Sequence, residues 1–130
     1  MILTIRTDKP ESEIGLYENG KQLTYETWQA HRQLAETVHI KINELLKSKS
    51  LSLQELKAIV CYQGPGSFTG LRIGISVANA LAYGLHIPII GIERENNWQE
   101  KGLTRIKNKE NDQAVMPAYG APVHITPPRK

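Results

Sequence analysis

The stretch that decides the fold of this 130-residue chain is Gly64-Pro65-Gly66-Ser67-Phe68-Thr69-Gly70. It follows an apolar run over residues 57–62, which is typical of a buried strand. It precedes a helical pattern over residues 71–83 and a second apolar run over residues 87–92. Strand, glycine loop, helix and strand make a βαβ unit, in which the two strands pair in parallel. We therefore expect an α/β fold.

The residues before this unit predict an antiparallel start. Strand candidates cover residues 2–7, 13–17 and 21–27. Asn19-Gly20 separates the last two, and both residue types tolerate the positive φ of a tight type I′ hairpin. Over residues 31–47 apolar side chains recur at steps of three and four, which predicts an amphipathic helix with one buried face. The whole pattern predicts a mixed five-stranded sheet with two main helices.

The composition changes after residue 92. We expect residues 1–92 to form one α/β subdomain, and residues 93–130 to be a polar linker followed by a proline-rich tail. The apolar anchors of the linker are Trp98, Leu103 and Ile106. They leave a short helix and a mobile linker both open. Four prolines between residues 116 and 128 predict an extended tail on the surface.

The composition also excludes several classes of protein. With 40% hydrophobic and 22% charged residues, the chain fits one globular domain whose core needs no disulfide or metal. The single Cys61 lies in an apolar run and is expected to be a small buried hydrophobe, which suits a reducing cytosol. No stretch reaches the roughly 18 apolar residues of a membrane span, and the start carries no signal-peptide pattern. We expect a soluble, cytoplasmic protein without membrane contact.

Charge does not identify a partner. The formal charge is +3, from 16 Lys and Arg against 13 Asp and Glu, and it is spread along the chain. No basic run is interleaved with aromatic residues, as a nucleic-acid stacking platform requires. The basic residues between positions 101 and 109 have acidic neighbours, which is typical of a solvated segment.

The glycine loop matches no catalytic or phosphate-binding fingerprint, although N–H groups at the start of a helix are able to hold an anion. A Walker loop ends in Lys followed by Ser or Thr, whereas Leu71-Arg72 follows Gly70 here. The dinucleotide pattern G-x-G-x-x-G fails because Gly70 comes one residue too late. The hydrolase pattern G-x-S-x-G is broken by Pro65, so Ser67 has no support as a nucleophile. We expect Ser67 or Thr69 to cap the following helix.

The sequence predicts no metal site, cofactor or catalytic residue. His31 and His39 are eight residues apart, rather than the three or four that place two ligands on one helix face. Asp8 ends the first strand region two residues after Arg6, and this pair predicts no acid–base chemistry.

The second predicted helix carries a row of small residues at spacing four. The row consists of Gly70, Gly74, Ala78 and Ala82. Such a ridge lets another element approach closely. Two interpretations stay open, namely packing on the first helix within the chain and contact with another molecule.

The motifs resemble one family over a long stretch of the chain. The segments at residues 64–74, 78–84 and 88–92 are similar to those of the TsaB (YeaZ) family, and the similarity runs from Met1 to about Ile92. The resemblance implies an actin-like (RNase H-like, ASKHA) fold. It also implies a non-catalytic accessory or scaffold role in making threonylcarbamoyladenosine in tRNA, in which the protein binds and supports a TsaD-like catalytic subunit.

The resemblance further implies where partners bind. In the family the two N-terminal helices form the association surface, used for homodimers or for TsaD. The implied interface residues here are His31, Leu34, Val38, Gly70, Gly74, Val77, Ala78 and Leu81. A TsaE-like ATPase is a further implied partner, a homodimer is expected in isolation, and tRNA is contacted only through the complex. A bulky residue at Gly74 or Ala78 is expected to weaken association while the monomer stays folded.

Two departures from the family stand out. Family members usually have Asp-Thr-Ser after the first strand, whereas this chain has Arg6-Thr7-Asp8, which argues against ATP hydrolysis. Family members also carry a second α/β subdomain, and only 38 residues (130 minus 92) follow Ile92 here. Because Pro117-Ala118-Tyr119 resembles the P-x-Y ending of the family, we expect an internal deletion. Without a second lobe, no interlobe nucleotide pocket is expected.

Three functions therefore compete. The first is the accessory subunit described above. The second is a free-standing homodimerisation module without a role in tRNA modification. The third is an ATP-dependent or peptidase-like enzyme, which needs a nucleotide or metal site.

Overall fold

A computed structural model describes residues 1–29, 34–66, 68–94 and 96–118. These residues form five strands, three α-helices and a short 3-10 turn at Leu53–Glu55. The elements are β1 (Ile2–Arg6), β2 (Glu11–Glu18), β3 (Lys21–Gln29), α1 (Leu34–Lys47), β4 (Ala58–Gly64), α2 (Phe68–Leu85), β5 (Ile89–Glu93) and α3 (Trp98–Lys107).

The strands form one mixed sheet in the order β3-β2-β1-β4-β5. The pairs β1–β2 and β2–β3 are antiparallel, whereas β1–β4 and β4–β5 are parallel. The predicted five-stranded mixed sheet is thus confirmed. The hairpin turn is confirmed as well, because both Asn19 and Gly20 have positive φ, at 54° and 79°.

The two predicted helices cover one face of the sheet. Helix α1 packs beside α2 and contacts β2 and β3, and α2 contacts β1, β4 and β5. The apolar side chains of this face are buried with those of both helices in one cluster, which includes Leu3, Ile5, Ile14, Leu16, Val38, Ile42, Leu46, Ile59 and Leu71. Burial of apolar area in this layer is the main stabilising contribution to the fold.

Helix α3 covers the opposite face of β4 and β5, and it resolves the alternatives for residues 93–112 in favour of a short helix. The Trp98 side chain is 3% exposed, and its ring meets that of Tyr62 edge to face with centroids 6.0 Å apart. A Cβ at Gly102 would overlap the Val60 side chain, so only glycine lets the helix lie this close to β4. The segment after β5 therefore covers the second face of the sheet and completes the core on that side.

Residues 111–118, here called the edge segment, cover the outer edge of β5. The Ile89 N–H donates to Asn111 Oδ1 at 3.1 Å, and the Gly91 N–H donates to Asp112 Oδ2 at 2.9 Å. Asn79 on α2 then holds the backbone of Val115 through two hydrogen bonds, each 2.9 Å long. The backbone groups of an edge strand that would otherwise be open are thus bonded within the chain. The predicted tail beyond residue 118 lies outside the described residues.

Cys61 is buried on β4, as the sequence predicts, and burial raises the pKa of its thiol to about 12. In the described part of the chain, no helix has both the length and the apolar character needed to cross a bilayer.

Removal of Trp98 tests whether α3 is part of the cooperative core. The Trp98→Ala variant is expected to lose about 3–5 kcal/mol of unfolding free energy, because a large buried aromatic leaves a cavity. Met116→Ala is the control, since this side chain is 72% exposed and its loss is expected to cost under about 0.5 kcal/mol. Urea unfolding followed by far-UV circular dichroism measures both. A loss at Trp98 no larger than that at Met116 would show α3 to be peripheral.

Candidate functional site

The parallel strands β1 and β4 end at the same edge of the sheet, where ligands of open α/β sheets commonly bind. Four side chains and a loop meet there. We call this group the carboxyl-edge cluster, and it consists of Arg6, Thr7, Asp8, Tyr62 and the loop over residues 64–66.

The centre of the cluster is an ion pair between two neighbouring residues. Arg6 Nε donates to Asp8 Oδ1 at 2.6 Å, and Arg6 Nη2 donates to Asp8 Oδ2 at 3.1 Å. The guanidinium also lies 3.8 Å from the centroid of the Tyr62 ring, within cation–π range. Burial lowers the pKa of Arg6, but the hydrogen bond and the charge of Asp8 raise it, and the net pKa lies above the ordinary value. Arg6 therefore stays charged and is matched by its own carboxylate.

The glycine loop packs directly on this pair. The Tyr62 hydroxyl donates to the Pro65 carbonyl at 3.2 Å. A Cβ at Gly66 would overlap Cβ of Asp8, so the loop closes over the carboxylate only because this residue has no side chain. Burial raises the pKa of the Tyr62 hydroxyl, while the charge of Arg6 acts against that rise. The hydroxyl is therefore a hydrogen-bond donor at neutral pH.

The sequence pattern missed this cluster. Arg6 and Asp8 stand two apart at the end of an extended strand, so their side chains point to one side, and that spacing was the only available signal. Tyr62 joins them through the parallel register of β1 and β4, in which Ile5 is opposite Cys61. Of the two residues predicted to cap α2, Thr69 lies inside the helix and therefore does not cap it, and Ser67 lies outside the described residues. Over the described ranges, no group of three or more His, Cys, Asp and Glu side chains is arranged to hold a metal ion.

Comparison of the sequence and the structure with known proteins identifies the family of this chain. A model of the family described as "TsaD: tRNA N6-adenosine threonylcarbamoyltransferase" matches residues 28–115. The TsaB protein of Escherichia coli K12, described as a tRNA threonylcarbamoyladenosine biosynthesis protein, is 32% identical in an alignment 115 residues long that covers 81% of this chain and 47% of that protein. The solved structure of YeaZ from Pseudomonas aeruginosa superposes with a TM-score of 0.66 at 28% identity, over 71% of this chain and 43% of that one. The chain belongs to the TsaB (YeaZ) family.

Other relatives agree with this assignment. TsaB of Buchnera aphidicola subsp. Schizaphis graminum is 30% identical over 92% of this chain and 57% of its own length. A tRNA N6-adenosine threonylcarbamoyltransferase of Geotalea daltonii is 43% identical over 63 residues, which is 48% of this chain and 18% of that protein. The chain thus spans about half the length of the TsaB relatives it matches. Its sheet and helices have the actin-like α/β fold.

Most of the interface residues that the TsaB resemblance implied lie inside the subunit. Leu34, Val38, Gly74, Val77 and Ala78 are buried, Gly70 and Leu81 are half-buried, and His31 lies outside the described residues. The buried ones pack against their own sheet and helices, so they leave little surface for another molecule.

Two members of the small-residue row on α2 contact a part of the chain that neither open interpretation named. A Cβ at Gly70 would overlap the Thr7 carbonyl oxygen, and a Cβ at Gly74 would overlap Thr7 Oγ1. Thr7 Oγ1 also donates to the Gly70 carbonyl at 2.7 Å. The first half of the row, Gly70 and Gly74, therefore faces the end of β1. A Cβ at Gly74 fits only if Thr7 moves, so the structure leads us to expect that a bulky residue there destabilises the fold itself, contrary to the expectation from the sequence.

Two glycines of the same helix provide a matched test. Gly74→Ala is expected to lower the unfolding free energy by about 1–3 kcal/mol, because Thr7 must move. Gly84→Ala is expected to raise it by up to about 1 kcal/mol, because no atom lies near that position and alanine favours the helix. Urea unfolding of both variants gives the two values. Equal changes of the same sign would contradict the packing of α2 on Thr7.

Proposed function

We propose that this chain is a non-catalytic accessory subunit in the formation of threonylcarbamoyladenosine in tRNA, and that it acts by binding a TsaD-like catalytic subunit. The observation that carries the proposal is the alignment of 81% of the chain with E. coli TsaB, whose name assigns that protein to this biosynthesis. The match of residues 28–115 to the TsaD family supports the same pathway.

The geometry of the carboxyl-edge cluster supports the non-catalytic part of the proposal. A carboxylate at this edge orients a metal or a nucleotide only if it is open to them. Asp8 is the carboxylate that follows β1, and its side chain is 5% exposed and held by two hydrogen bonds from Arg6. The negative charge of Asp8, which a metal or nucleotide site would need, is thus paired with Arg6 of the same chain.

The exposed faces of α1 and α2 support the partner-binding part. Tyr83 on α2 is 84% exposed, and Ile40 on α1 is 54% exposed. Large apolar side chains in such positions are typical anchors of protein interfaces. Around Tyr83, the exposed side of α2 carries the small residues Ser76 and Ala80, which let a second backbone come close. We call these exposed residues of α1 and α2 the helical face.

The helical face replaces the interface residues expected from the sequence. It belongs to the same two helices, but it lies on the side turned away from the sheet. Met116 of the edge segment is 72% exposed and follows Val115, which Asn79 ties to α2. The Asn79–Val115 hydrogen bonds thus bring the edge segment against α2, and we include Met116 in the proposed face. A homodimer and a complex with the TsaD-like subunit would compete for it, and a TsaE-like ATPase would join through the assembled complex.

Size-exclusion chromatography with light scattering tests the proposal. The chain is run alone and then with the TsaD-like protein of the same organism, and calorimetry gives the dissociation constant. We expect a stable heteromer. Tyr83→Ala is expected to weaken it about tenfold, because an aromatic anchor contributes upwards of 1 kcal/mol to binding. Leu23→Ala on β3, which also removes an exposed apolar side chain, is the control and is expected to change the constant less than twofold.

Two outcomes would contradict the proposal in different ways. If the TsaD-like protein does not bind while the chain self-associates, the free-standing dimerisation module becomes the better account. If the heteromer forms but Tyr83→Ala and Leu23→Ala behave alike, the partner role stands and the helical face is the wrong surface.

A further inference from the structure

The anion that Arg6 binds in the carboxyl-edge cluster is the carboxylate of Asp8, a residue of the same chain. Arginine commonly binds carboxylates and phosphates through a bidentate pair of hydrogen bonds. Here both contacts of Arg6 go to Asp8, at 2.6 and 3.1 Å. The arginine side chain is 16% exposed and the carboxylate 5% exposed, so little of either is left for a ligand from solution.

Groups other than Asp8 also surround the Arg6 guanidinium. The Tyr62 ring lies under the guanidinium, and the Tyr62 hydroxyl is tied to the Pro65 carbonyl. Two further carboxylates act on the cluster. Glu13, the β2 partner of Arg6, raises the pKa of Arg6, and Glu93 raises the pKa of Tyr62. Arg94 contributes a second positive charge near Tyr62.

The glycine loop also packs closely on the Asp8 carboxylate. Gly66 has no room for a Cβ because Asp8 fills that space, and the first turn of α2 approaches the backbone of residues 7 and 8 at Gly70. The positive end of a helix stabilises a negative charge near it. Asp8 therefore lies where an external oxyanion would find an arginine, a glycine loop and a helix start together.

We propose that the Asp8 carboxylate is an internal substitute for an oxyanion and keeps the Arg6 site closed to phosphate. The inference goes beyond the partner-binding role and does not depend on it. Its consequence is that loss of Asp8 removes two hydrogen bonds from a partly buried arginine, which then keeps only the charge of Glu13 across the strand pair and is stabilised by another anion. Inorganic phosphate, with oxygens that suit the guanidinium, is then expected to bind.

Thermal unfolding in phosphate and in chloride tests this inference. Wild type, Asp8→Ala and the double variant Arg6→Gln/Asp8→Ala are compared in sodium phosphate and sodium chloride of equal ionic strength. We expect Asp8→Ala to gain about 3 °C or more in phosphate over chloride, because a ligand that binds only the folded state stabilises it. Phosphate also stabilises folded proteins in general, so the gain of Asp8→Ala is counted beyond the smaller and equal gains expected for wild type and the double variant.

A phosphate effect of the same size in wild type would overturn the inference, because the site would then be open with Asp8 in place. So would the absence of any effect in a folded Asp8→Ala. If that variant does not fold in chloride, recovery of its circular dichroism in phosphate supports the inference. If it folds in neither salt, Asp8→Asn decides, since it keeps the shape without the charge, and an Asn variant that is indifferent to phosphate overturns the inference. Partner binding of the wild type is measured separately and bears on neither result.

Discussion

The fold depends on the close approach of α2 to the end of β1. Gly70 and Gly74 meet Thr7 where no side chain would fit, and the Thr7 hydroxyl closes the contact with a hydrogen bond to Gly70. This contact sets the height of α2 over the sheet and thereby the course of the glycine loop. The loop in turn lies on Asp8, which Arg6 holds by hydrogen bonds, and the Tyr62 ring packs on the Arg6 guanidinium. Packing, loop shape and the ion pair are thus one connected constraint.

That constraint gives the two surfaces of the domain different characters. At the carboxyl edge, charges are paired and partly buried, so the site has little to offer a ligand. On the outer side of α1 and α2, apolar side chains such as Tyr83 stay in water. This difference between the two surfaces supports the proposal that the chain binds another protein and carries out no chemistry itself. The edge segment adds to this division, because it bonds the open side of β5 and extends the helical surface at Met116.

Much of the fold could be predicted from local sequence, and most of the site could not. The hairpin at Asn19-Gly20 and the βαβ unit depend on neighbouring residues, so periodicity and turn chemistry predict them. The orientation of the small ridge on α2 depends on Thr7, which is 63 residues from Gly70, and no helical pattern contains that information. The Arg6–Tyr62 contact likewise needs the strand register. The covering of β5 arises from Asn111 and Asp112, whose polar side chains resemble those of any loop until the strand edge is beside them.

The central claim is that the helical face binds a TsaD-like subunit while the carboxyl edge stays closed. Amide hydrogen exchange of the chain, measured with and without the TsaD-like protein of the same organism, tests it most directly. The account predicts slower exchange in peptides from α1 and α2 on complex formation, and unchanged exchange in peptides covering residues 6–8 and 62–66. Slower exchange confined to those carboxyl-edge peptides, with α1 and α2 unaffected, would contradict the account.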